Sequence, residues 1–361
     1  MAQEKIQLPR PTGAYNVGIS THFLKDASRN YNGEKSRPLL VHIYYPSVEI
    51  QKEYPLYLAD AMHLYKQKLA RTYQPEDLEY LDGINDWAMP DAPIAAENSP
   101  FPVLFFSPGF LMAAQLYSSL IEEMASHGYV VVAINHTDAC WPVVFPDGSS
   151  PVVLPELVNV FSNTQRSYLQ TFDMTQETWV KDIEFVISWL RNQPLAKSLD
   201  FSRMGIFGHS FGGSVAMEAT RQNKDFKAIA NLDSMLFGPS WDKPLETPSL
   251  FVVAEKSLTY EDAINAGLTS EQFEGMVARY SKKVFDQLKD NSFYVTVKDT
   301  EHASFVDSKL IKSPLHKNAV NPLKGIEITR ALLVDFFDHY LKNKNLNLLN
   351  SHSSDFFVTK K

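Results

Sequence analysis

The chain has 361 residues, 44% of them hydrophobic and 21% charged, a balance that can bury a large core. Its formal net charge of −8 provides no basic field for a phosphate backbone, which argues against nucleic acid as the main partner. One cysteine, Cys140, excludes an intrachain disulfide framework and any Cys-rich zinc site. No apolar run reaches the roughly 18 residues a transmembrane helix needs, and residues 1–7 lack the apolar centre of a signal peptide. As it stands the sequence reads as cytoplasmic; a removed signal would make it secreted or periplasmic.

Short β-rich runs alternate with amphipathic helical stretches. Residues 15–24 and 39–45 read as strands, the second ended by Pro46. Residues 103–106, 130–134, 204–207, 228–232, 250–253 and 293–297 are nearly unbroken apolar runs, as expected of strands buried on both faces. Helices are predicted at 114–127, 171–192, 211–222, 270–289 and 325–342. The pattern predicts one α/β domain over residues 1–361, with a mostly parallel eight-stranded sheet and helices on both faces.

Two stretches break the alternation. Residues 48–100 form an insertion, with a helix expected at 57–71, and residues 139–170 form an excursion after the fourth strand. Both follow strands whose ends should border the site, so they are expected as pocket walls or lids, with surface decoration as the alternative. Leu58, Met62, Tyr65 and Leu69 share one face of the insertion helix. That face is expected to pack on the core; the alternative is a peripheral membrane or lipid-particle contact.

Residues 208–213 read Gly-His-Ser-Phe-Gly-Gly directly after the strand 204–207. A Gly-x-Ser-x-Gly run between strand and helix is the nucleophile elbow of the α/β-hydrolase fold. The turn is tight enough that side chains at positions 208 and 212 would collide, so Gly208 and Gly212 stand there. Ser210 is then exposed at the positive end of a helix. His209 reads as a packed structural residue rather than a second base. The oxyanion donors are expected to be the backbone N–H groups of Phe211 and of Phe110, in the loop Phe106-Ser-Pro-Gly-Phe110.

An acid and then a histidine should follow the serine. Asp233 ends the strand 228–232, and Glu255 ends the next strand; both are open as the acid. His302 lies just past the last strand, where the base belongs. Of the later histidines, His339 falls in the C-terminal helix and His352 in the tail, and His316 lies between. His136 precedes the serine and is expected to line the wall or form hydrogen bonds. Ester hydrolysis by Ser210, His302 and an orienting acid needs no cofactor or metal, and no metal-ligand spacing is present.

These residues resemble the platelet-activating factor acetylhydrolase family of the plasma and intracellular type II kind. The resemblance covers most of the chain. It rests on Pro11-Thr-Gly-Ala-Tyr-Asn-Val-Gly18, Ser36-Arg-Pro-Leu-Leu-Val-His-Ile-Tyr-Tyr-Pro46, Phe106-Ser107 with Gly109, Tyr117-Ser-Ser, and Ala125-Ser-His-Gly-Tyr129. It rests further on Gly208-His-Ser-Phe-Gly-Gly213, Asn231-Leu-Asp-Ser-Met-Leu-Phe237 and the position of His302. The resemblance favours Asp233 over Glu255 as the acid. It implies calcium-independent hydrolysis of a short acyl chain, as from the sn-2 position of a phospholipid. Pro108 departs from the family, which usually has His there. The surroundings of Cys140-Trp141-Pro142 and the insertion 48–100 also differ from the animal enzymes. The expected partner is a small-molecule or lipid ester. The alternatives are a lipase or polyester hydrolase of cutinase type, and a non-catalytic binding protein of hydrolase fold, against which the complete Ser, Asp and His set stands.

Overall fold

Strands β1 (Asn16–Asp26) and β2 (Arg37–Ser47) begin the architecture as an antiparallel pair. The structure is a computed structural model that describes residues 7–49, 53–153, 165–241, 245–257, 290–315 and 321–361, with isolated positions between those ranges. The insertion follows, carrying α1 (Met62–Leu69) and β3 (Ala88–Pro90). Then come β4 (Phe101–Ser107), α2 (Ser118–Ser126), β5 (Val130–Asn135) and α3 (Gln165–Leu190). Next are β6 (Leu199–His209), α4 (Phe211–Gln222), β7 (Phe226–Leu232) and β8 (Ser249–Lys256). The chain ends with β9 (Ser292–Glu301), α5 (Asp307–Ile311), α6 (Pro322–Lys342) and β10 (Phe356–Lys360).

The ten strands among the described residues form one sheet in the order β10-β9-β8-β7-β6-β4-β5-β2-β1-β3. Strands β4 through β9 are mutually parallel, whereas β2 and β10 run antiparallel to their neighbours β5 and β9. The register pairs Ser107 with Gly208 and His209 with Leu232, so the parallel strands end together along one rim. In a parallel sheet the loops leaving such a rim converge, and side chains remote in sequence meet there.

Helices cover both faces. Gly205 of β6 stands against Phe337 and Leu341 of α6, while Gly208, three residues on, stands against the first turn of α4. Positions three apart on a strand point to opposite sides, so α6 and α4 occupy opposite faces. α2 packs beside α6, and α3 beside α4. The strands bury Val103, Leu104, Phe105, Val131, Val132, Ile206 and Phe207 completely, each worth roughly 1.5–3 kcal/mol of transfer free energy. α6 starts where the Asn321 side chain accepts the Leu323 N–H (3.0 Å) with Pro322 in the first turn, and stops at Asn343 in the left-handed conformation.

The sheet has ten strands rather than the eight expected. β3 is a three-residue element inside the insertion, pairing parallel to β1, and β10 covers the edge of β9. The insertion helix is shorter than 57–71, because Leu58 has φ 52° and residues 57–61 form turns before α1 begins at Met62. The helix expected at 114–127 is a 3₁₀ turn followed by α2, and the one expected from 171 begins at Gln165. The helix expected at 270–289 lies almost wholly outside the described residues, as does His316. Leu58, Met62 and Tyr65 are buried and Leu69 is half-buried, so this face packs on the core.

The insertion is fastened to α2. The backbone N–H groups of Trp87 and Ala88 donate to Glu122 Oε1 (3.2 and 2.8 Å). Burial, and next the neighbouring Asp86, push the Glu122 carboxyl well above its usual range. α1 reaches the excursion through Tyr65, whose ring stacks on Trp141 at 5.8 Å.

Candidate active site

Ser210 links β6 to α4 with φ 53° and ψ −128°, a backbone conformation that costs a non-glycine residue on the order of 1–3 kcal/mol. The surroundings hold it there. Its N–H donates to the Leu232 carbonyl (2.9 Å), and its carbonyl accepts the Gly213 N–H (2.9 Å). A Cβ at Gly208 would overlap the Gly212 carbonyl, and one at Gly212 would overlap the carbonyl oxygens of Ser107 and Pro108. Only glycine fits at either place. The side chain of Ser210 remains half-buried, facing the rim.

Asp233 follows β7 directly, has φ 48°, and donates its N–H to the Val252 carbonyl (2.7 Å). Its carboxylate is buried. Oδ1 accepts the Ala254 N–H (3.1 Å), and the Ser257 hydroxyl donates to the same carboxylate. Oδ2 stands 2.7 Å from His302 Nδ1. Burial works against its charge, but the hydrogen bond and charge of His302, then the Ser257 hydroxyl and His209, more than offset that. The carboxyl therefore sits below its ordinary range.

His302 begins the 3₁₀ turn after β9 and is half-exposed. Its Nε2 lies 3.0 Å from Ser210 Oγ. The imidazole thus bridges a buried carboxylate and a half-buried hydroxyl, although the three residues are 23 and 69 positions apart in sequence. Such a row can draw the proton from the hydroxyl and stabilise the imidazolium that forms. Glu255 is exposed, and its Oε2 accepts the Asp299 N–H (2.9 Å). Asp233, not Glu255, is the acid that meets the imidazole. His339 Nδ1 donates to the Lys344 carbonyl (2.7 Å), at the end of α6.

Phe211 is the first residue of α4, where the N–H has no carbonyl four residues back within the helix. Phe110 lies in the loop after β4, and its ring packs edge-on to Phe172 (5.0 Å) and Phe211 (6.1 Å). Trp179 and Phe237 complete this aromatic group around Phe211, at 4.9 and 5.5 Å. The loop is laced to the excursion: Leu111 N–H donates to the Ala139 carbonyl and Ala113 N–H to the Trp141 carbonyl (both 2.8 Å). The start of the excursion therefore lies against the loop.

His136 forms hydrogen bonds and does not reach Ser210. Its Nδ1 faces Asp182 Oδ2 (2.9 Å), its Nε2 faces Ser107 Oγ (3.1 Å), and its ring stacks on Trp179 at 4.1 Å. Asp182 also accepts from Arg37 Nε (2.7 Å), and Arg37 in turn pairs with Asp138. Burial pushes His136 below its ordinary value even against the pull of Asp182.

Three residues near the site carried no sequence signal of their role: Ser257, Asp307 and, as a hydrogen-bonding group, Tyr117. Asp307 follows the His302 turn and accepts the Ser119 N–H from α2 (3.1 Å). Burial pushes its carboxyl up to about 7. Among the described residues, no group of three or more His, Cys, Asp or Glu side chains could hold a metal ion, and no helix is long and apolar enough to cross a membrane.

A sequence profile described as platelet-activating factor acetylhydrolase, isoform II, matches residues 1–184 and 167–355. The platelet-activating factor acetylhydrolase of Cavia porcellus is 25% identical over 384 residues, covering 95% of this chain and 80% of its own length. Cutinase est2 of Thermobifida alba is 25% identical over 198 residues, covering 55% of this chain and 54% of its own. The solved structure of a ferulic acid esterase from Streptomyces cinnamoneus superposes with a TM-score of 0.75 at 25% identity. It covers 99% of this chain and 100% of that one.

Proposed function

The chain belongs to the platelet-activating factor acetylhydrolase family, isoform II kind, and is a carboxylic-ester hydrolase of the α/β-hydrolase fold, and from that premise we propose that Ser210 is its nucleophile, His302 its general base and Asp233 its orienting acid. The observation that carries this reading is the pair of contacts made by one imidazole, 3.0 Å to the Ser210 hydroxyl and 2.7 Å to the Asp233 carboxylate.

Ser210 Oγ attacks the ester carbonyl as His302 Nε2 takes its proton. Asp233 holds Nδ1–H and stabilises the imidazolium. The N–H groups of Phe110 and Phe211 receive the developing oxyanion, each worth about 3–4 kcal/mol of barrier. Protonated His302 then releases the alcohol, and water deprotonated by His302 hydrolyses the acyl-enzyme. The whole chain acts as one catalytic domain, since every proposed group stands on one rim of one sheet.

The substrate is a short-acyl ester, as on a phospholipid of the kind named for the family. The aromatic rings of Phe110, Phe172, Phe211 and Phe237 support a short acyl group, because they fill the space beside the oxyanion donors. Turnover of p-nitrophenyl esters from acetate to palmitate, beside a 2-acetyl phospholipid, tests the proposal in parent and Ser210→Ala protein. Loss of turnover in the variant and the highest parent rate on acetate are expected.

A further inference from the structure

Three hydrogen bonds, two of them buried and the third part-buried, run in one direction between backbone segments that surround Ser210. Gly109 N–H donates to Tyr117 Oη (3.1 Å), Tyr117 Oη lies 2.8 Å from His209 Nδ1, and His209 Nε2 lies 3.0 Å from the His302 carbonyl oxygen. Their sense follows from chemistry alone. A carbonyl oxygen only accepts, so His209 Nε2 carries the hydrogen. A neutral ring has one N–H, so Nδ1 accepts and the Tyr117 hydroxyl donates to it. The tyrosine oxygen then accepts from Gly109. Burial, then the charge of His302, pushes His209 down to about 3, and burial pushes the Tyr117 phenol up, so the neutral ring and intact hydroxyl persist across ordinary pH. Tyr117 is fully buried and His209 is 3% exposed.

We propose that His209 and Tyr117 are a positioning pair that locks the oxyanion loop, the nucleophile elbow and the backbone of the base into one rigid unit. The inference rests on the reading of Ser210 and His302 given above. His209 adjoins Ser210 in sequence and holds the main chain of His302, whose ring lies 4.7 Å from its own. Through Tyr117 the same side chain holds Gly109, the residue before Phe110. That bond also engages the Gly109 amide, which leaves the oxyanion role to the expected donors, Phe110 and Phe211. Both ring nitrogens of His209 are occupied, so it has no free site from which to move a proton during the reaction. Its effect is on distance: the Nε2-to-Oγ gap is set by two residues that never touch the substrate, and small misplacements of reacting groups cost large factors in rate.

The test measures kcat, KM and melting temperature on p-nitrophenyl acetate for Tyr117→Phe, His209→Ala, His209→Gln, the double variant Tyr117→Phe/His209→Ala, and Ser210→Ala. Tyr117→Phe and His209→Ala should each lower kcat roughly 10- to 100-fold with KM within about threefold. His209→Gln, whose amide can still donate toward the His302 carbonyl, should recover part of the loss. The double variant should be no slower than His209→Ala, since both changes break one unit. If His209→Ala does not fold, Tyr117→Phe and His209→Gln decide. Unchanged kcat in Tyr117→Phe, losses that multiply in the double variant, or a rise in KM without a fall in kcat would overturn the proposal. Ser210→Ala separates the two readings: activity surviving there sinks the assignment of the site itself, whereas its loss with full activity in the Tyr117 and His209 variants sinks only the positioning role.

Discussion

The α-carbon of Gly212 is pressed against the carbonyl oxygen of Ser107, so closely that a Cβ has no room. The first turn of α4 is thereby seated on the end of β4, and elbow and oxyanion loop are held in backbone contact. Gly212→Ala is expected to destabilise the protein by about 3 kcal/mol or more and to abolish turnover, because two main chains must separate to admit one methyl group. Gly83→Ala is the control: nothing lies within 4 Å of a Cβ there and its φ is ordinary, so melting temperature and activity should stay near those of the parent.

Ser210→Ala removes the attacking oxygen while leaving the half-buried site otherwise intact. Turnover should fall by about 10⁴-fold or more, and a fluorophosphonate probe that labels the parent should not label the variant. Equal labelling of both proteins would place the nucleophile elsewhere.

Asp233→Asn and Glu255→Gln separate the two acids. The first should lower kcat by roughly 10⁴-fold, since an amide leaves the imidazole in the wrong tautomer. The second should change kcat by less than about threefold, because Glu255 is exposed and bonded only to the Asp299 backbone among its described contacts. The reverse pattern would indicate the arrangement expected of the cutinase-type reading.

Acyl length is read directly in kcat/KM. The ester series should decline from acetate onward, and enlarging the space beside Phe211 with Phe172→Ala should shift the optimum toward longer chains. A parent enzyme fastest on palmitate would remove the short-acyl assignment and leave the proposed triad in place.

Stability should depend on pH through Asp307. Burial raises its carboxyl from 3.8 to about 7, so between those values the folded protein holds a proton that the unfolded chain has released. Stability is therefore lost as pH rises through this window, and the penalty is complete above about 7. Asn at 307 cannot ionise. The melting temperature of Asp307→Asn should exceed that of the parent at pH 8 by an amount worth on the order of a few kcal/mol, with the gap closing toward pH 4. Parallel curves for the two proteins would show that folding does not raise the Asp307 carboxyl.

Much of the site was legible because its constraints are local. Gly208, Ser210 and Gly212 declare a strand-to-helix turn by spacing alone, and Asp233 and His302 follow directly on apolar strands. Choosing Asp233 over Glu255 needed more: each stands at a strand end on the same rim, so spacing left both open, the family resemblance favoured Asp233, and the fold brings the imidazole down on it. β3 has three residues, too few to show any period. β10 has a period, Phe356 buried and Phe357 exposed, but it is a short run in a polar tail. The link from Gly109 through Tyr117 and His209 to His302 spans 8, 92 and 93 positions. No sequence pattern encodes a bond made between a side chain and a main-chain carbonyl at such separations.

Phe356–Lys360 lies outside β9 in the sheet, which makes β9 an interior strand. Sheets fray from their borders inward. Transient melting of the outermost ladder therefore stops one strand short of the segment that carries His302, and amide hydrogens along β9 should exchange far more slowly than those of β10. The last strand serves the imidazole as a sacrificial margin.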